Sequence, residues 1–218
     1  MVPRTSDAVV GPGPGGWVII VLILGMGLVE AVILLGGGIG IRPAALRSLA
    51  LEYGAFWPGL LGSWQANYPA QPAAMFLTYG FLHGSLLHYT VNMITLYSLG
   101  RAVILRGGAW RFLAIYGAAI LGGAVAFGLL APDLRPMVGA SGALFGLAGA
   151  ILAWDFLERA DFALSLWPVG RAVAVLVLLN LVLWWVMDGL LAWQTHLGGF
   201  VAGWAAAVFV EPKRGTTG

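Results

Sequence analysis

Six apolar runs, each close to the length that crosses a lipid bilayer, alternate with short polar segments along this chain. They cover residues 17–35, 85–104, 110–130, 141–157, 171–187 and 196–210. An α-helix rises about 1.5 Å per residue, so roughly 20 apolar residues span the roughly 30 Å hydrocarbon layer. The pattern therefore predicts an all-α polytopic membrane protein, built as a bundle of six transmembrane helices.

The longest stretch outside these runs covers residues 36–80. A cluster of glycines ends the first run, and residues 44–57 predict an amphipathic helix on the membrane surface. Aromatic side chains, which suit the membrane interface, follow at Tyr53, Phe56, Trp57, Trp64 and Tyr68. A loop this long and this apolar is expected to be membrane-associated and functional rather than disordered.

Composition agrees with a membrane protein and indicates one domain. Hydrophobic residues make up 60% of the chain and charged residues 9%, and the mean hydropathy is +0.91. We expect one membrane domain at residues 17–210, with a flexible, Gly/Pro-rich cytoplasmic tail at residues 1–16 and a second cytoplasmic tail at residues 211–218. The first run lacks a preceding basic flank and a small-x-small cleavage site, which favours a retained span over a signal peptide.

The basic residues predict the orientation of the bundle. A net charge of +2 is too small to indicate nucleic-acid binding. If the amino terminus is cytoplasmic, the inner segments hold Arg4, Arg101, Arg106, Arg111, Arg159, Arg171, Lys213 and Arg214. The outer segments then hold Arg42, Arg47 and Arg135. This excess on the inner side is what the positive-inside rule expects, so both termini are predicted to be cytoplasmic.

The candidate nucleophile is Ser141, in the segment Gly139-Ala140-Ser141-Gly142. The segment lies where a polar, proline-bounded loop meets an apolar run, and glycines allow the backbone to approach a substrate closely. The start of a helix also offers free N–H donors. Taken alone, such a segment is more often a packing surface for a neighbouring helix. The chain has no cysteine, which excludes disulfides, thiolate metal sites and a cysteine nucleophile.

Polar residues on three predicted spans support the assignment of Ser141 as the nucleophile. With the predicted orientation, spans two, four and six all run from the outer to the inner surface. His88 and Asn92 then lie in the first turns of span two, Ser141 begins span four and His196 begins span six, all at similar depth. His88 and Asn92 are four residues apart and share a helix face, which Ser85 and Thr95 are expected to extend. Such a polar stripe is expected to face the bundle interior.

Glycine spacing predicts that spans four and six touch. Gly142, Gly146 and Gly149 thin one helix, and Gly199 and Gly203 thin the other. Close backbones would bring the imidazole of the last span within reach of the serine hydroxyl, giving a nucleophile and a general base.

Several further side chains are assigned roles around this pair. His88, Asn92 and the backbone N–H of Ser141 are expected to bind an oxyanion, beside Gly139. Asp133 and Asp188 reach the site only through loop conformations that the sequence does not predict, which favours a Ser-His dyad over a triad. Phe145, one turn after the serine, is placed to stack on the His196 ring, although core packing is the ordinary role of such an aromatic.

These segments resemble the rhomboid intramembrane serine proteases. The matching stretches are residues 78–93, residues 139–146, the segment Arg111-Phe112-Leu113-x-x-Tyr116 and the segment His196-x-x-Gly199-x-x-x-Gly203. The resemblance implies a Ser141–His196 dyad, oxyanion support from His88 and Asn92, a substrate-facing first loop, and gating by the fifth span. It also implies single-span membrane proteins as substrates. We expect no cofactor. Because the site is predicted at the outer ends of three helices, we expect it to open to the outer face, where water can enter without crossing the apolar centre. The compact six-span form suggests a bacterial plasma membrane.

The chain departs from the family pattern in two places. Ala74-Met75 stands where a Trp-Arg pair is common, which leaves the architecture of the first loop open. Ile104 stands where a glutamate is common near the end of span two, which affects packing at the cytoplasmic end. Neither position belongs to the proposed chemistry.

Other functions remain as alternatives. A catalytically silent rhomboid-like scaffold would bind client helices without cutting them, although the chain has both Ser141 and His196. A transporter would need more polar groups near mid-membrane than Glu30 and Asn180. Glu30 is expected to have a structural partner. No His-x-x-x-His pattern supports a metal site, and His83 is expected to brace the first loop by hydrogen bonding. An aspartyl mechanism would need two aspartates deep inside spans.

Overall fold

A computed structural model describes residues 15–131 and 134–210, and this part of the chain is almost entirely helical. Its α-helices are α1 (Trp17–Leu35), α2 (Pro43–Gly54), α3 (Gln71–Thr78), α4 (Leu86–Leu130), α5 (Ser141–Asp161), α6 (Trp167–Val186) and α7 (Trp193–Phe209). Three short 3₁₀ helices lie between α1 and α4, at Gly36–Ile39, Pro58–Leu61 and Tyr79–Phe81.

Helix α4 is a hairpin of two membrane-length arms. The backbone reverses at Gly108, whose φ of 81° lies in the left-handed region that glycine tolerates. A Cβ atom placed on Gly100 would lie 3.0 Å from the ring of Phe112, which shows that the first arm packs against the second. The 45 residues of α4 therefore supply two of the six predicted spans.

Four helices of the described residues are long and apolar enough to cross a membrane: α1, α4, α5 and α6. Because α4 is a hairpin and α7 adds a largely apolar helix of 17 residues, the described residues provide six membrane-length segments, as the sequence predicts. The predicted first span coincides with α1. The last helix begins three residues earlier than predicted, at Trp193, so His196 lies one turn inside α7 instead of opening it.

Glycine contacts hold α5 and α7 together at the centre of the bundle. A Cβ atom on Gly199 would collide with the carbonyl of Gly142, and one on Gly203 would collide with the carbonyl of Gly146. Gly149 lies against the carbonyl of Phe200 in the same way. This backbone-to-backbone packing is the contact that the glycine spacing predicts, and only hydrogen atoms fit between the two helices.

The segment between α1 and α4 is folded onto the end of the bundle at which Ser141 lies. Arg47 of α2 forms a bidentate ion pair with Glu30 of α1, with N–O distances of 2.9 and 3.0 Å. The same guanidinium donates to the backbone carbonyl of His83 at 2.6 Å. Phe56 pairs with Met137 through two backbone hydrogen bonds of 2.9 and 3.0 Å. The first loop is therefore fastened both to α1 and to the segment that precedes Ser141.

Two details of this region differ from the prediction. The surface helix ends at Gly54 rather than at residue 57, because Pro58 begins a separate 3₁₀ turn. The polar stripe on α4 is shorter than expected: Ser85 is exposed and caps the helix by accepting from the His88 backbone N–H at 3.1 Å. Thr95 donates to the carbonyl of Val91 within its own helix, so neither side chain extends the stripe into the bundle.

Arginines collect at the opposite end of the bundle from Ser141. Arg106 binds Glu158 at the end of α5 at 2.8 Å, and Arg111 donates to the carbonyl of Val210, just after α7. Most of the predicted tails, residues 1–14 and 211–218, and the loop residue Asp133 lie outside the described residues.

Candidate active site

Ser141 is the first residue of α5, and the segment before it is pinned by its backbone. The N–H of Gly139 donates to the carbonyl of Tyr79 at 3.0 Å, two residues after the Phe56–Met137 pairing. Gly139 has φ 124°, a conformation that favours glycine. As the first helical residue, Ser141 has no carbonyl four residues earlier within α5 to receive its N–H, so this donor faces outward from the helix end.

His196 of α7 contacts the serine directly. Its Nε2 lies 2.8 Å from Ser141 Oγ, which is hydrogen-bond distance. The histidine is 3% exposed, and its ring stacks on Phe145 with centroids 4.3 Å apart and planes 8° from parallel. Phe145 therefore restricts the ring to one plane, as its position one turn after the serine predicts. The arrangement allows proton transfer between the hydroxyl and the imidazole.

The other ring nitrogen of this histidine has a partner that the sequence did not predict. His196 Nδ1 lies 2.7 Å from the side-chain oxygen of Asn180, which is on α6. Asp188, considered above as a third member, lies instead in the turn after α6, with φ 51°. The only signal for Asn180 is that it is a lone amide in an apolar helix, and such a group needs a polar partner in a membrane.

His88 and Asn92 of α4 meet the serine segment at Gly139. A Cβ atom on Gly139 would lie 2.7 Å from His88 Cε1, 2.9 Å from His88 Nε2 and 3.7 Å from Asn92 Nδ2. Asn92 is 4% exposed, and its Nδ2 has no hydrogen-bond partner among the described residues. A buried amide donor without a partner is costly, so this amide is a candidate donor for a bound group. Two side chains thus flank the space beside Gly139.

His83 lies outside this constellation and does not brace the first loop in the expected way. Its backbone carbonyl, rather than its ring, receives the hydrogen bond from Arg47. Both ring nitrogens are buried without a partner among the described residues, and the ring packs edge-on against His88 and Tyr89. Burial lowers the pKa of His83 to about 3, helped by His88 and Arg47. The ring is therefore neutral at physiological pH and acts as packing.

Two cavities adjoin the site. One, of about 470 Å³, lies between α5, α6 and α7 and has an almost wholly apolar lining in which Asn180 and His196 are the polar members. The other, of about 500 Å³, lies between the end of α4, the segment before Ser141 and the turn after α6. Its lining includes Arg135, Asp188 and Gln194. The described residues contain no cluster of three or more His, Cys, Asp or Glu side chains that could hold a metal ion.

Comparison with known proteins identifies the family of this bundle. The family model for the rhomboid domain matches residues 71–213. The chain is 36% identical over 138 residues to the rhomboid protease GluP of Bacillus subtilis, an alignment covering 63% of this chain and 26% of the relative. It is 35% identical over 131 residues to RHOMBOID-like protein 5 of Arabidopsis thaliana, covering 56% and 39%.

A third relative is rhomboid protein 1, mitochondrial, of Saccharomyces cerevisiae, with 31% identity over 150 residues, 62% of this chain and 42% of the relative. The chain therefore spans well under half the length of these three relatives. The match nevertheless begins at the start of α3 and includes every segment that builds the site, from the helix before His88 to the helix that carries His196. The chain belongs to the rhomboid family.

Proposed function

We propose that this chain is an intramembrane serine endopeptidase that cleaves single-span membrane proteins with a Ser141–His196 dyad. The observation that carries this proposal is the 2.8 Å contact between Ser141 Oγ and His196 Nε2, two residues on different helices that are 55 positions apart in sequence. A serine hydroxyl is a weak nucleophile until a neighbouring base removes its proton, and an imidazole at this distance is such a base.

The chemistry follows the acyl-transfer sequence of serine hydrolases. Ser141 Oγ attacks the carbonyl carbon of the scissile peptide bond while its proton moves to His196 Nε2. The tetrahedral intermediate collapses as the imidazolium gives that proton to the amide nitrogen, the C–N bond breaks, and the amine product leaves an ester on Ser141. A water molecule then loses a proton to His196 and attacks the ester, and the proton returns to Ser141 Oγ as the acid product departs.

The negative oxygen of the intermediate needs donors that are already in place. The unpartnered amide of Asn92 and the ring of His88 lie beside Gly139, and the N–H of Ser141, the first residue of α5, is the third candidate donor. Each oxyanion donor contributes roughly 3 kcal/mol of barrier lowering in enzymes of this kind. The Gly139 N–H donates to Tyr79 instead, so Gly139 contributes space rather than a hydrogen bond.

The position of the candidate site in the bundle is consistent with a membrane substrate and with access of water. The site lies at the end of the bundle opposite the Arg106 and Arg111 contacts, and the positive-inside rule assigns that arginine end to the cytoplasm. Both tails are then cytoplasmic and the site opens to the outer face. The cavity with a partly polar lining beside Gln194 gives water a place next to the site.

Labelling with a fluorophosphonate probe tests the proposal, because such probes form a covalent bond with an activated serine. We expect the detergent-solubilised wild type to be labelled and Ser141→Ala not to be labelled. His196→Ala is expected to react at least about 100-fold more slowly, the lower end of what a positioned general base contributes. Ser48→Ala is the matched control, because this exposed hydroxyl only donates to a carbonyl within α2.

Cleavage is tested separately with a single-span protein reconstituted with the enzyme in liposomes. We expect cleavage products with the wild type and none with Ser141→Ala. Equal labelling of the wild type and Ser141→Ala would refute the nucleophile. Stable binding of the single-span protein without any product would instead favour the silent scaffold.

A further inference from the structure

Asn180 is the polar residue of α6 that touches the candidate site. Its Oδ1 lies 2.7 Å from His196 Nδ1, and the opposite nitrogen of the same ring lies 2.8 Å from Ser141 Oγ. The three groups thus form a continuous chain across three helices: amide on α6, imidazole on α7, hydroxyl on α5. The neighbours of Asn180 in the sequence, Leu179 and Leu181, are 45% and 59% exposed.

The tautomer of the imidazole decides whether this chain can work. A neutral imidazole carries one proton, and it accepts the serine proton at Nε2 only if that proton is on Nδ1. The proton on Nδ1 needs an acceptor, and the amide oxygen of Asn180 is in place to receive it. With a bare Nδ1 the proton would be on Nε2, and the ring would donate to Ser141 instead of accepting from it.

The surroundings make this hydrogen bond decisive. The adjoining cavity offers His196 Nδ1 no other polar side chain, since the remaining lining residues on α6 and α7 are Val, Leu, Trp and Phe. His196 is 3% exposed, so water does not replace the acceptor freely. Among titratable side chains, His88 of α4 interacts electrostatically with this ring, and it lies on the side of the serine segment.

The hydrogen bond between Asn180 and His196 also depends on the position of helix α6. Val169 is the one buried residue of α6, so most of this helix lies at the surface of the bundle. The carbonyl dipole of Asn180 also remains favourable when the ring becomes an imidazolium after proton transfer, because its negative end points at Nδ1–H. A shift of α6 away from α7 would remove both effects together.

We propose that Asn180 is a positioning residue that holds His196 in the tautomer and orientation needed to accept the proton of Ser141. This inference rests on the proposed function of the Ser141–His196 pair. Asn180 does not touch the reacting atoms and acts through the imidazole. The competing explanation is that the amide only satisfies its own polar groups in an apolar helix, in which case its loss would affect folding but not the state of the ring.

The test compares Asn180→Leu, which removes the acceptor at similar size, with Asn180→Asp, which keeps it. Leu176→Ala is the matched control, because Leu176 lies one turn earlier on α6 and lines the same cavity without a polar contact. We expect Asn180→Leu to slow fluorophosphonate labelling by about 10-fold or more, part of the roughly 10²–10⁴ that a positioned general base contributes. Asn180→Asp is expected to restore most of the rate, and Leu176→Ala to stay near wild type.

A spectroscopic readout separates this inference from the proposed function. With ¹⁵N-labelled histidine, the NMR signals of His196 are identified by their loss in His196→Ala. At alkaline pH the wild type and Asn180→Asp are expected to show a protonated Nδ1 and a bare Nε2, whereas Asn180→Leu shifts toward the other tautomer. The NMR spectrum tests the role of Asn180 even if the wild type is not labelled by the probe. Failure of the wild type to label would refute only the proposed function.

Two results would overturn the positioning role. The first is an Asn180→Leu protein that keeps the wild-type tautomer of His196. The second is an equal loss of labelling in Asn180→Leu and Leu176→Ala with matching losses of thermal stability, which would assign the effect to the packing of α6.

Discussion

At a single backbone position, Gly139, the segment that leads to Ser141 meets the His88 and Asn92 side chains of α4. It stands two residues before Ser141, and its missing side chain leaves the space in which the His88 ring and the Asn92 amide approach the serine segment. Its φ of 124° is a conformation that other residues adopt only with strain. The sequence shows a glycine here but does not reveal which conformation requires it, because that depends on how the preceding loop is pinned.

Gly139→Ala is therefore expected to damage the site directly. The added Cβ would lie 2.7 Å from His88 Cε1, and the left-handed backbone costs a non-glycine residue about 1–3 kcal/mol. We expect fluorophosphonate labelling to fall by about 10-fold or more, which is the rate equivalent of at least about 1.4 kcal/mol.

Gly84→Ala is the matched control for this substitution. Gly84 lies in the same region, yet a Cβ there meets nothing within 4 Å, so labelling is expected to stay near wild type. Wild-type labelling in Gly139→Ala would show that the close approach of His88 is not needed.

The candidate nucleophile and base could be predicted from the sequence, because few residue types can perform these roles. A protein without cysteine and with three histidines offers few combinations of nucleophile and base, and the position of Ser141 at a helix start follows from the loop before it. Asn180 was not predictable, because the sequence places it 16 residues before His196 on a different helix. Only the packing of α6 beside α7 brings the amide to the imidazole.

Among the helices, α5 and α7 carry the geometry of the dyad through their glycines. Because Gly199 lies against the carbonyl of Gly142, the helix that carries His196 comes close enough for the ring to reach Ser141. Gly142 and Gly146 are four residues apart and share one face of α5, and Gly199 and Gly203 share one face of α7 in the same way. The contact between the two helices could therefore be predicted from sequence. The start of α7 could not, since its first turn contains Trp193 and Gln194, which resemble loop residues in hydropathy.

Gly199→Ala is expected to separate these two helices. Its Cβ would collide with a backbone carbonyl, which cannot rotate away as a side chain can. Overpacking of this kind typically costs about 1–3 kcal/mol, and the dyad distance should increase with it. We expect a lower midpoint of thermal unfolding in detergent and little labelling of Ser141.

Gly117→Ala provides the comparison on the second arm of α4. A Cβ at Gly117 meets nothing within 4 Å, so neither stability nor labelling should fall. If Gly199→Ala labelled as fast as Gly117→Ala, the close packing of α5 and α7 would not be what brings the dyad together.

At the scale of the whole molecule, Arg47 connects parts of the chain that are far apart in sequence. It pairs with Glu30 of α1 and donates to the carbonyl of His83, just before α4. Glu30 is 3% exposed and the Arg47 side chain 18% exposed. The sequence predicted a structural partner for Glu30, because a lone carboxylate inside a span is costly. It did not identify Arg47, which comes from a surface helix.

Arg47→Met is expected to destabilise the fold, because it leaves the Glu30 carboxylate buried and unpaired. Breaking a fully buried pair costs about 3–5 kcal/mol, whereas exposed pairs contribute about 0–1 kcal/mol. Since Arg47 is partly exposed, the loss should lie between these limits, and unfolding in detergent measures it. The double variant Glu30→Leu/Arg47→Met should recover much of the loss.

Glu158→Gln serves as the exposed control, since its pair with Arg106 has side chains 54% and 38% exposed. Its effect should be less than about 1 kcal/mol. Equal effects of Arg47→Met and Glu158→Gln would show that the Arg47 contacts do not hold the first loop.

The sequence by itself determined the fold class, the six membrane-length segments and the α5–α7 contact, and it singled out Ser141 and His196 as the candidate pair. Each of these follows from local quantities: the length of an apolar run, the spacing of glycines on a helix face, and the scarcity of groups able to do the chemistry. The tertiary structure alone decided the Arg47 connections and the contact of Asn180 with the imidazole. Those depend on how separate helices pack, and no local pattern specifies the distance between side chains on different helices.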